Sequence, residues 1–320
     1  MAGRKNDFGK GDVRSSGDAQ PSSVTNLGSE PSGGGRQSKR LDWTPVGLCL
    51  VATPIGNAAD ISLRALRALE TADAVACEDS RVTGRLLALH GIKNSLTPYH
   101  EHNAAKVRPV LMKRLKNGES VALVSDAGTP LISDPGYRLV TECIEAGIPV
   151  SAVPGASSVL TALQLSGLPT DRFFFAGFLS PKTAARKKAL SEVAEIPGSL
   201  IFLESPKRLA ATLADMAEIL GPRSAAVTRE LTKLFEEVRR GSLPDLARDY
   251  AEQGPPKGEV TLVVGPPAEA AEIDDGELDD RLREALADNS LRDAAALVSA
   301  ATGLPRKRVY ARALALSKKP

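Results

Sequence analysis

The sequence predicts an α/β protein in which two domains are built on strands interleaved with helices and followed by a small helical C-terminal domain. Three observations carry that reading. Short apolar runs of strand length alternate with segments of helical periodicity. The runs end in Gly- and Pro-rich loops that also carry acids and hydroxyls. The chain has 320 residues, 42% of them hydrophobic, which is enough for two cores. Only 4% are aromatic, so those cores are expected to be mostly Ala, Val and Leu.

Residues 1–43 are rich in Gly, Ser, Pro and charge and cannot repay the entropy of ordering, so they read as a flexible tail. Its Arg4, Lys5, Arg36, Lys39 and Arg40 suit contact with RNA or simple solubilisation. The first α/β domain is placed at 44–168. It opens with a strand over Val46 to Ala52, a sharp exit at Thr53-Pro54-Ile55-Gly56-Asn57, and a helix capped by Asp60 or Ser62. Strands follow at Ala74 to Cys77, Leu96 to Tyr99, Val121 to Val124 and Val150 to Val153, with helices near Leu86 to Leu89 and Val107 to Leu115. Strand alternating with helix predicts mostly parallel packing.

The second α/β domain is placed at 169–267. Its strand candidates are Phe173 to Leu179, Leu200 to Leu203, Ala225 to Thr228, Leu234 to Arg239 and Val260 to Val264, with helices near 184–194, 207–220 and 243–252. Short spacing between them predicts a mixed sheet. Residues 268–285 read as an acidic linker and 286–320 as a helix-turn-helix-like domain, in which Gly303 stops one helix and Pro305 starts the next. Arg306, Lys307, Arg308 and Arg312 put a basic group on its last helix.

Composition excludes several classes. With 41 basic and 39 acidic residues the net charge is +2, so a nucleic-acid role would need locally concentrated charge. Cys49, Cys77 and Cys143 form no CxxC unit, which argues against a disulfide scaffold or thiolate zinc site. His100-Glu101-His102-Asn103 lacks a third ligand at a diagnostic interval, so no metal is expected. No stretch reaches the roughly 18 apolar residues of a membrane span, and a soluble, cytoplasmic protein is expected.

The densest chemistry lies in loops after apolar strands, where open α/β sheets gather ligands. Ser125-Asp126-Ala127-Gly128-Thr129-Pro130 leads into Ser133-Asp134-Pro135-Gly136, and Val153 is followed by Pro154-Gly155-Ala156-Ser157. The glycine spacing matches neither GxGxxG nor a Walker A loop. Glu78-Asp79-Ser80-Arg81 sets acid, hydroxyl and guanidinium directly after a strand, suited to handling an alcohol and a phosphate or to capping a helix. In the second domain Glu204 to Arg208, Thr228 to Lys233 and Pro256 to Glu259 supply further polar loops, suited to phosphate contact, solubility or capping.

Taken in order, Thr53 to Asn57, Glu78 to Arg81, Val124 to Pro130, Asp134 to Tyr137, Pro154-Gly155, Arg229-Glu230-Leu231-Thr232 and Lys257-Gly258-Glu259 resemble the RsmI family of ribosomal RNA small-subunit methyltransferases, within the tetrapyrrole methylase-like superfamily. The resemblance runs from about residue 46 to 265, and the C-terminal helices are similar to the family's small helix-turn-helix domain. The chain departs from the family pattern at Ser80, where Thr is common, at Ala156-Ser157-Ser158, and at Lys207, where His is common.

The resemblance implies a two-domain tetrapyrrole methylase-like fold, S-adenosylmethionine as cofactor in the cleft between the domains, and a homodimer. It implies 2'-O-methylation of a cytidine in the decoding region of 16S rRNA on the 30S subunit. The cofactor wall is then expected at Asp126, Ala127, Gly128, Thr129, Pro130, Asp134, Gly136, Pro154, Gly155 and Ser157. Glu78 or Asp79 would activate the hydroxyl, and Arg81 would position phosphate. Asn57, Arg229, Lys257, Arg306 and Arg308 would contact substrate. A tetrapyrrole methyltransferase and a noncatalytic ribosome-binding module are the alternatives.

Overall fold

The structure is a computed structural model, and it describes residues 44–268, 275–302, 304 and 306–317. The expected tail at 1–43, residues 269–274, and the helix-punctuating Gly303 and Pro305 lie outside the described residues.

The first sheet holds β1 (Leu48–Val51), β2 (Ala74–Cys77), β3 (Leu96–Pro98), β4 (Val121–Val124) and β5 (Val150–Val153). Their order is β3-β2-β4-β1-β5 and every pairing is parallel. Alternation along β1 explains why both faces need cover. Cys49 and Val51 pack with Val75, Cys77 and the buried Ala65, Ala68 and Leu69 of α1 (Leu63–Thr71) on one face. Leu48 packs with Ala76, Leu111 of α3 (Ala104–Lys116) and Leu139 of α4 (Tyr137–Glu145) on the other. Helix α2 (Ser80–Leu89) follows β2, and α5 (Ser158–Ser166) follows β5. Ser62 caps α1, its hydroxyl accepting from the Ala65 amide at 3.1 Å.

The second sheet has the order β6-β7-β10-β8-β9, from β6 (Phe173–Phe178), β7 (Ser199–Glu204), β8 (Ser224–Arg229), β9 (Glu237–Ser242) and β10 (Val260–Val264). Only β6 and β7 run parallel, so the sheet is mixed. Leu200, Phe202, Leu262 and Val264 face α6 (Thr183–Val193), α7 (Leu209–Leu220) and α8 (Leu243–Gln253) through Leu190, Leu213, Met216 and Tyr250. On the opposite face Ile201 and Val263 pack on Val159, Ala162 and Leu163 of α5, in a cluster that also holds Ile55 and Leu231. Helix α5 therefore ties the two sheets together, and its apolar cluster takes in Ile55 and Leu231 from their loops.

Strand β9 begins at Glu237, three residues after the expected start at Leu234. Leu234 and Phe235 are apolar but stand exposed on the β8–β9 turn. The expected acidic linker is corrected more substantially, because residues from 275 onward form α9 (Asp275–Asp288). Leu278 and Leu282, one helical turn apart, are buried against Ala295 and Val298 of α10 (Leu291–Thr302) and Val309 and Ala313 of α11 (Arg306–Ser317).

Candidate active site

Four loops leave the carboxyl edge of the first sheet and lock to one another. After β1, Thr53 and Gly128 exchange backbone hydrogen bonds of 2.9 and 3.1 Å, and the Thr53 hydroxyl donates to the Ser125 carbonyl at 3.1 Å. After β2, the Asp79 amide donates to Asp126 Oδ1 at 2.9 Å. The Thr129 hydroxyl reaches the Ala156 carbonyl in the loop after β5 at 3.1 Å. The segment Ser125 to Gly136 thus touches all three other loops. Leu131 and Ser133 within it adopt positive φ of 74° and 68°, backbone that non-glycine residues take at a cost where a site needs it.

Three carboxylates meet around this segment. Burial raises the Glu78 pKa above the usual range, and the nearby carboxylates of Asp126 and Asp134 push it further. Asp126 and Asp134 are themselves raised, chiefly by burial. Asp79 moves the opposite way. Hydrogen bonds from the Arg81 guanidinium and amide hold it down to about 2. The Asp79 carboxylate caps α2 and pairs with Arg81 at 2.5 Å, so it is a weak base whose oxygens already have partners. The two acids left equivalent by the sequence are separated by their surroundings, and Glu78 is the basic one.

The second sheet supplies the opposing wall. The turn Glu230 to Glu236 holds Glu230 and Thr232 at positive φ of 50° and 64°. Glu230 accepts from the Glu259 amide at 3.0 Å and from Lys233 Nζ at 2.8 Å, and Lys233 also reaches Glu259 at 3.1 Å. Across the space the Asn57 amide donates to the Thr232 hydroxyl at 3.1 Å. A Cβ on Gly56 would lie 2.4 Å from the Lys233 side chain, so the first loop approaches this ridge as only glycine permits.

Gly258 is more constrained still. Its φ is +97° and a Cβ there would fall 2.3 Å from the Glu230 carboxyl carbon. Gly258→Ala is expected to expel that carboxylate from its bonds to Glu259 and Lys233 and to cost about 1–3 kcal/mol of strain, read as a lower urea midpoint. An unshifted midpoint would show that the ridge tolerates the extra methyl.

Of the hollows around these loops among the described residues, three bear on the site. The inter-sheet cleft, about 500 Å³, is lined by Thr53, Ile55, Val82, Leu86 and Asp126 on one side and by Lys233 and Glu259 on the other. A polar hollow of about 640 Å³ holds Glu78, Tyr99, Arg108, Asp134 and Tyr137. An apolar one of about 450 Å³ is lined by Thr129, Pro130, Pro154, Gly155, Ser157 and Phe175. The expected cofactor wall is therefore distributed: Asp126 and Ala127 face the cleft, Asp134 and Gly136 the polar hollow, and the remainder, apart from Gly128 in its bridge to Thr53, the apolar hollow. Ser157 commits its hydroxyl to capping α5.

The expected substrate contacts also separate. Asn57 accepts from the Ala59 amide at 3.1 Å, capping a short 3-10 turn. Arg229 pairs with Glu237 at 2.9 Å and, with Lys257, lines a fourth hollow on the far side of the Glu230 ridge. Arg308 faces Asp275 at 3.6 Å and Arg312 pairs with Asp279 at 2.5 Å, so α9 neutralises part of the basic helix. Arg306 and Lys307 carry no ion pair among the described residues. Lys233 closes the polar Thr228 to Lys233 loop that the sequence marked, whereas Val82 and Leu86 carry no sequence signal for the cleft and only tertiary packing brings them to it.

Parallel sheet, mixed sheet and interlocked carboxyl-edge loops together define the tetrapyrrole methylase class. Residues 47–247 match the family described as Tetrapyrrole (Corrin/Porphyrin) Methylases, and residues 272–317 match the RsmI C-terminal HTH domain. A Ribosomal RNA small subunit methyltransferase I of Mesorhizobium japonicum is 52% identical over 270 residues, covering 84% of this chain and 92% of the relative. One from Micromonospora olivasterospora is 45% identical over 265 residues, covering 82% and 85%. The uroporphyrin-III C-methyl transferase of Thermus thermophilus, solved with S-adenyl homocysteine, shares the fold at a TM-score of 0.50 and 21% identity over 68% of this chain and 97% of that one. The chain belongs to the ribosomal RNA small subunit methyltransferase I family.

Proposed function

We propose that this protein methylates the ribose 2'-hydroxyl of a cytidine in the decoding region of 16S rRNA, presented by the 30S subunit, with S-adenosylmethionine as donor. The observation that carries the reading is Glu78: a carboxylate made more basic by burial and by two neighbouring acids, lining a hollow of nucleotide size, with the next residue's amide bonded to Asp126 of the inter-sheet cleft. The residues of the cleft fit the donor. Pro54, Ile55, Val82 and Leu86 offer apolar contact to an adenosine, and the Asp126 carboxylate offsets a positive charge. When bound, S-adenosylmethionine supplies an electrophilic methyl group on a cationic sulfur.

The work of the chain is to position and to accept a proton. Glu78 holds the 2'-hydroxyl and takes its proton as the oxygen–carbon bond forms and the methyl–sulfur bond breaks, with S-adenosylhomocysteine as leaving group, since a free alcohol is too weak an acid to ionise beforehand. Asp126 holds the Asp79 amide and so fixes the backbone that carries Glu78. The Arg81 side chain, largely exposed beside Asp79, meets a phosphate at the mouth. Arg306 and Lys307 on α11 extend the RNA footprint. Exposed Phe173, Phe174 and Phe178 on the edge strand β6 support pairing with a second copy of the chain. No described helix is long and apolar enough to cross a membrane, and a ribosomal substrate supports a cytoplasmic location.

The test supplies a methyl-labelled donor with undermethylated 30S subunits, protein-free 16S rRNA or a porphyrin macrocycle. Label in the 16S rRNA of the 30S sample is expected. Label in the macrocycle alone, or 30S binding without transfer, would replace this reading with one of its alternatives.

A further inference from the structure

The hollow on the far side of the Glu230 ridge has no part in the mechanism above, yet it is built from the materials that hold nucleotides. It measures about 450 Å³ and includes Arg229, Phe235, Arg239, Tyr250 and Lys257 in its lining. Two guanidiniums share one carboxylate there. Arg229 meets Glu237 at 2.9 Å and Arg239 meets the same residue at 2.5 Å. Arg239 also lies over the Tyr250 ring, 5.2 Å from its centroid, and bonds to Gln253. Arg229 donates to the Lys257 carbonyl at 3.2 Å. Both guanidiniums are thus fixed in place before any ligand arrives, and with Lys257 they outnumber Glu237 by two positive charges. Asp249 acts on Arg239 as well, but it stands beside Arg248 at 3.7 Å.

Phe235 adds an exposed ring at the rim, on the strained turn between β8 and β9, with 66% of its surface open to solvent. An aromatic face beside fixed guanidiniums matches a base and its phosphate, because the ring stacks on any base and the cations meet the anionic backbone. The location supports the same ligand. Lys233 and Glu259 line the inter-sheet cleft, whereas Phe235 and Lys257, two residues from each along the chain, line this hollow. The ridge of Glu230 to Glu236 and Lys257 to Glu259 contributes lining to both.

We propose that this hollow binds a nucleotide of the substrate RNA outside the one that is methylated, with phosphate on Arg229, Arg239 and Lys257 and its base against Phe235. The inference rests on the RNA reading above and deepens it. It makes the β8–β9 turn a shared wall, with donor and target on one side and a flanking nucleotide on the other.

Phe235→Ala and Lys257→Ala, both at exposed positions, test it in the full-length chain. Each is expected to raise KM for undermethylated 30S subunits roughly tenfold, with kcat and S-adenosylhomocysteine affinity within about twofold of the parent. Phe235→Tyr is expected to keep the parental KM. A fluorescence titration with a short oligocytidylate, run on the same proteins, should show the same losses, and Lys257→Ala should flatten the dependence of log affinity on log salt by about 0.7. Unchanged oligonucleotide affinity and salt slope in both variants would overturn the proposal. If the parent protein transfers no methyl group to 30S subunits, the RNA-methylation reading fails instead, and the oligonucleotide titration still decides whether the hollow holds a nucleotide.

Discussion

Replacing Glu78 by Gln is expected to lower kcat by about 10²–10⁴-fold, the usual contribution of a positioned general base. The amide keeps the size and hydrogen-bonding reach of the side chain but cannot take a proton, so S-adenosylhomocysteine affinity measured by calorimetry should stay within about twofold. Asp79→Asn is the contrasting change. With its acid held down to about 2 by Arg81, Asp79 has little basicity to lose, and the effect on kcat should be much smaller. The pH profile gives the sign. Glu78 acts when ionised and burial raises its pKa, so kcat of the parent enzyme should rise with pH through a value above the ordinary carboxylate range. That acid limb should vanish in Glu78→Gln. Stability runs the other way. A carboxyl whose folded pKa is raised contributes stability that is full below its unfolded pKa and lost as pH rises through the folded value. At neutral pH the variant should therefore be no less stable than the parent. Equal loss of cofactor affinity would remove Glu78 from the role of base.

The largest stability effect is expected in the second domain, far from any ligand. Arg186 of α6 and Asp215 of α7 meet at 2.5 Å with side chains 4% and 10% exposed, and the Arg186 guanidinium also donates to the carbonyls of Ser180 and Pro181 at 3.4 Å. Removing one member of a buried pair leaves the other charge with its desolvation cost uncompensated. Arg186→Met should cost about 3–5 kcal/mol, seen as a large drop in the urea midpoint. Lys187, 3.7 Å from Asp215, compensates only in part because it is already bonded to Glu218 at 2.6 Å. Arg186→Met combined with Asp215→Leu should recover much of the loss, since two apolar side chains leave no stranded charge. A double variant as unstable as the single one would mean that shape rather than charge governs the contact.

Much of the fold was legible because its signals are local. Val260–Val264, apolar but for Thr261, reads as a buried strand and is one, and the wholly apolar Ala74–Cys77 behaves the same way. The misreadings have physical causes. Leu234 and Phe235 look like the start of a strand by composition, but the Thr232 amide bonds to Glu236 at 2.6 Å and turns the chain before β9 can begin. The first part of α9 was obscured by its charge density, although the spacing of Leu278 and Leu282 held the helical signal that their burial explains.

The site was legible as a set of loops and not as a set of roles. Gly- and Pro-rich strand exits marked where ligands gather, but they could not show that the loop after β4 divides the edge into separate hollows. Glu78 and Asp79 are adjacent carboxylates in sequence. Their difference arises from what folding sets around each, two partly buried acids beside one and a guanidinium against the other. Arg229 stands at the end of β8 as expected, yet the ridge of Glu230 and Gly258 sets it apart from Glu78.

The central claim is that a carboxylate-lined hollow beside the inter-sheet cleft delivers a ribose oxygen for methylation. It is tested most directly by digesting 16S rRNA from 30S subunits treated with enzyme and labelled donor to nucleosides, then locating the methyl group by mass spectrometry. The account predicts a single labelled cytidine whose methyl group stays with the sugar fragment and, in the undigested rRNA, a 3' phosphodiester bond at that cytidine that resists alkali. A methyl group on the base, with the ribose unmodified, would contradict it.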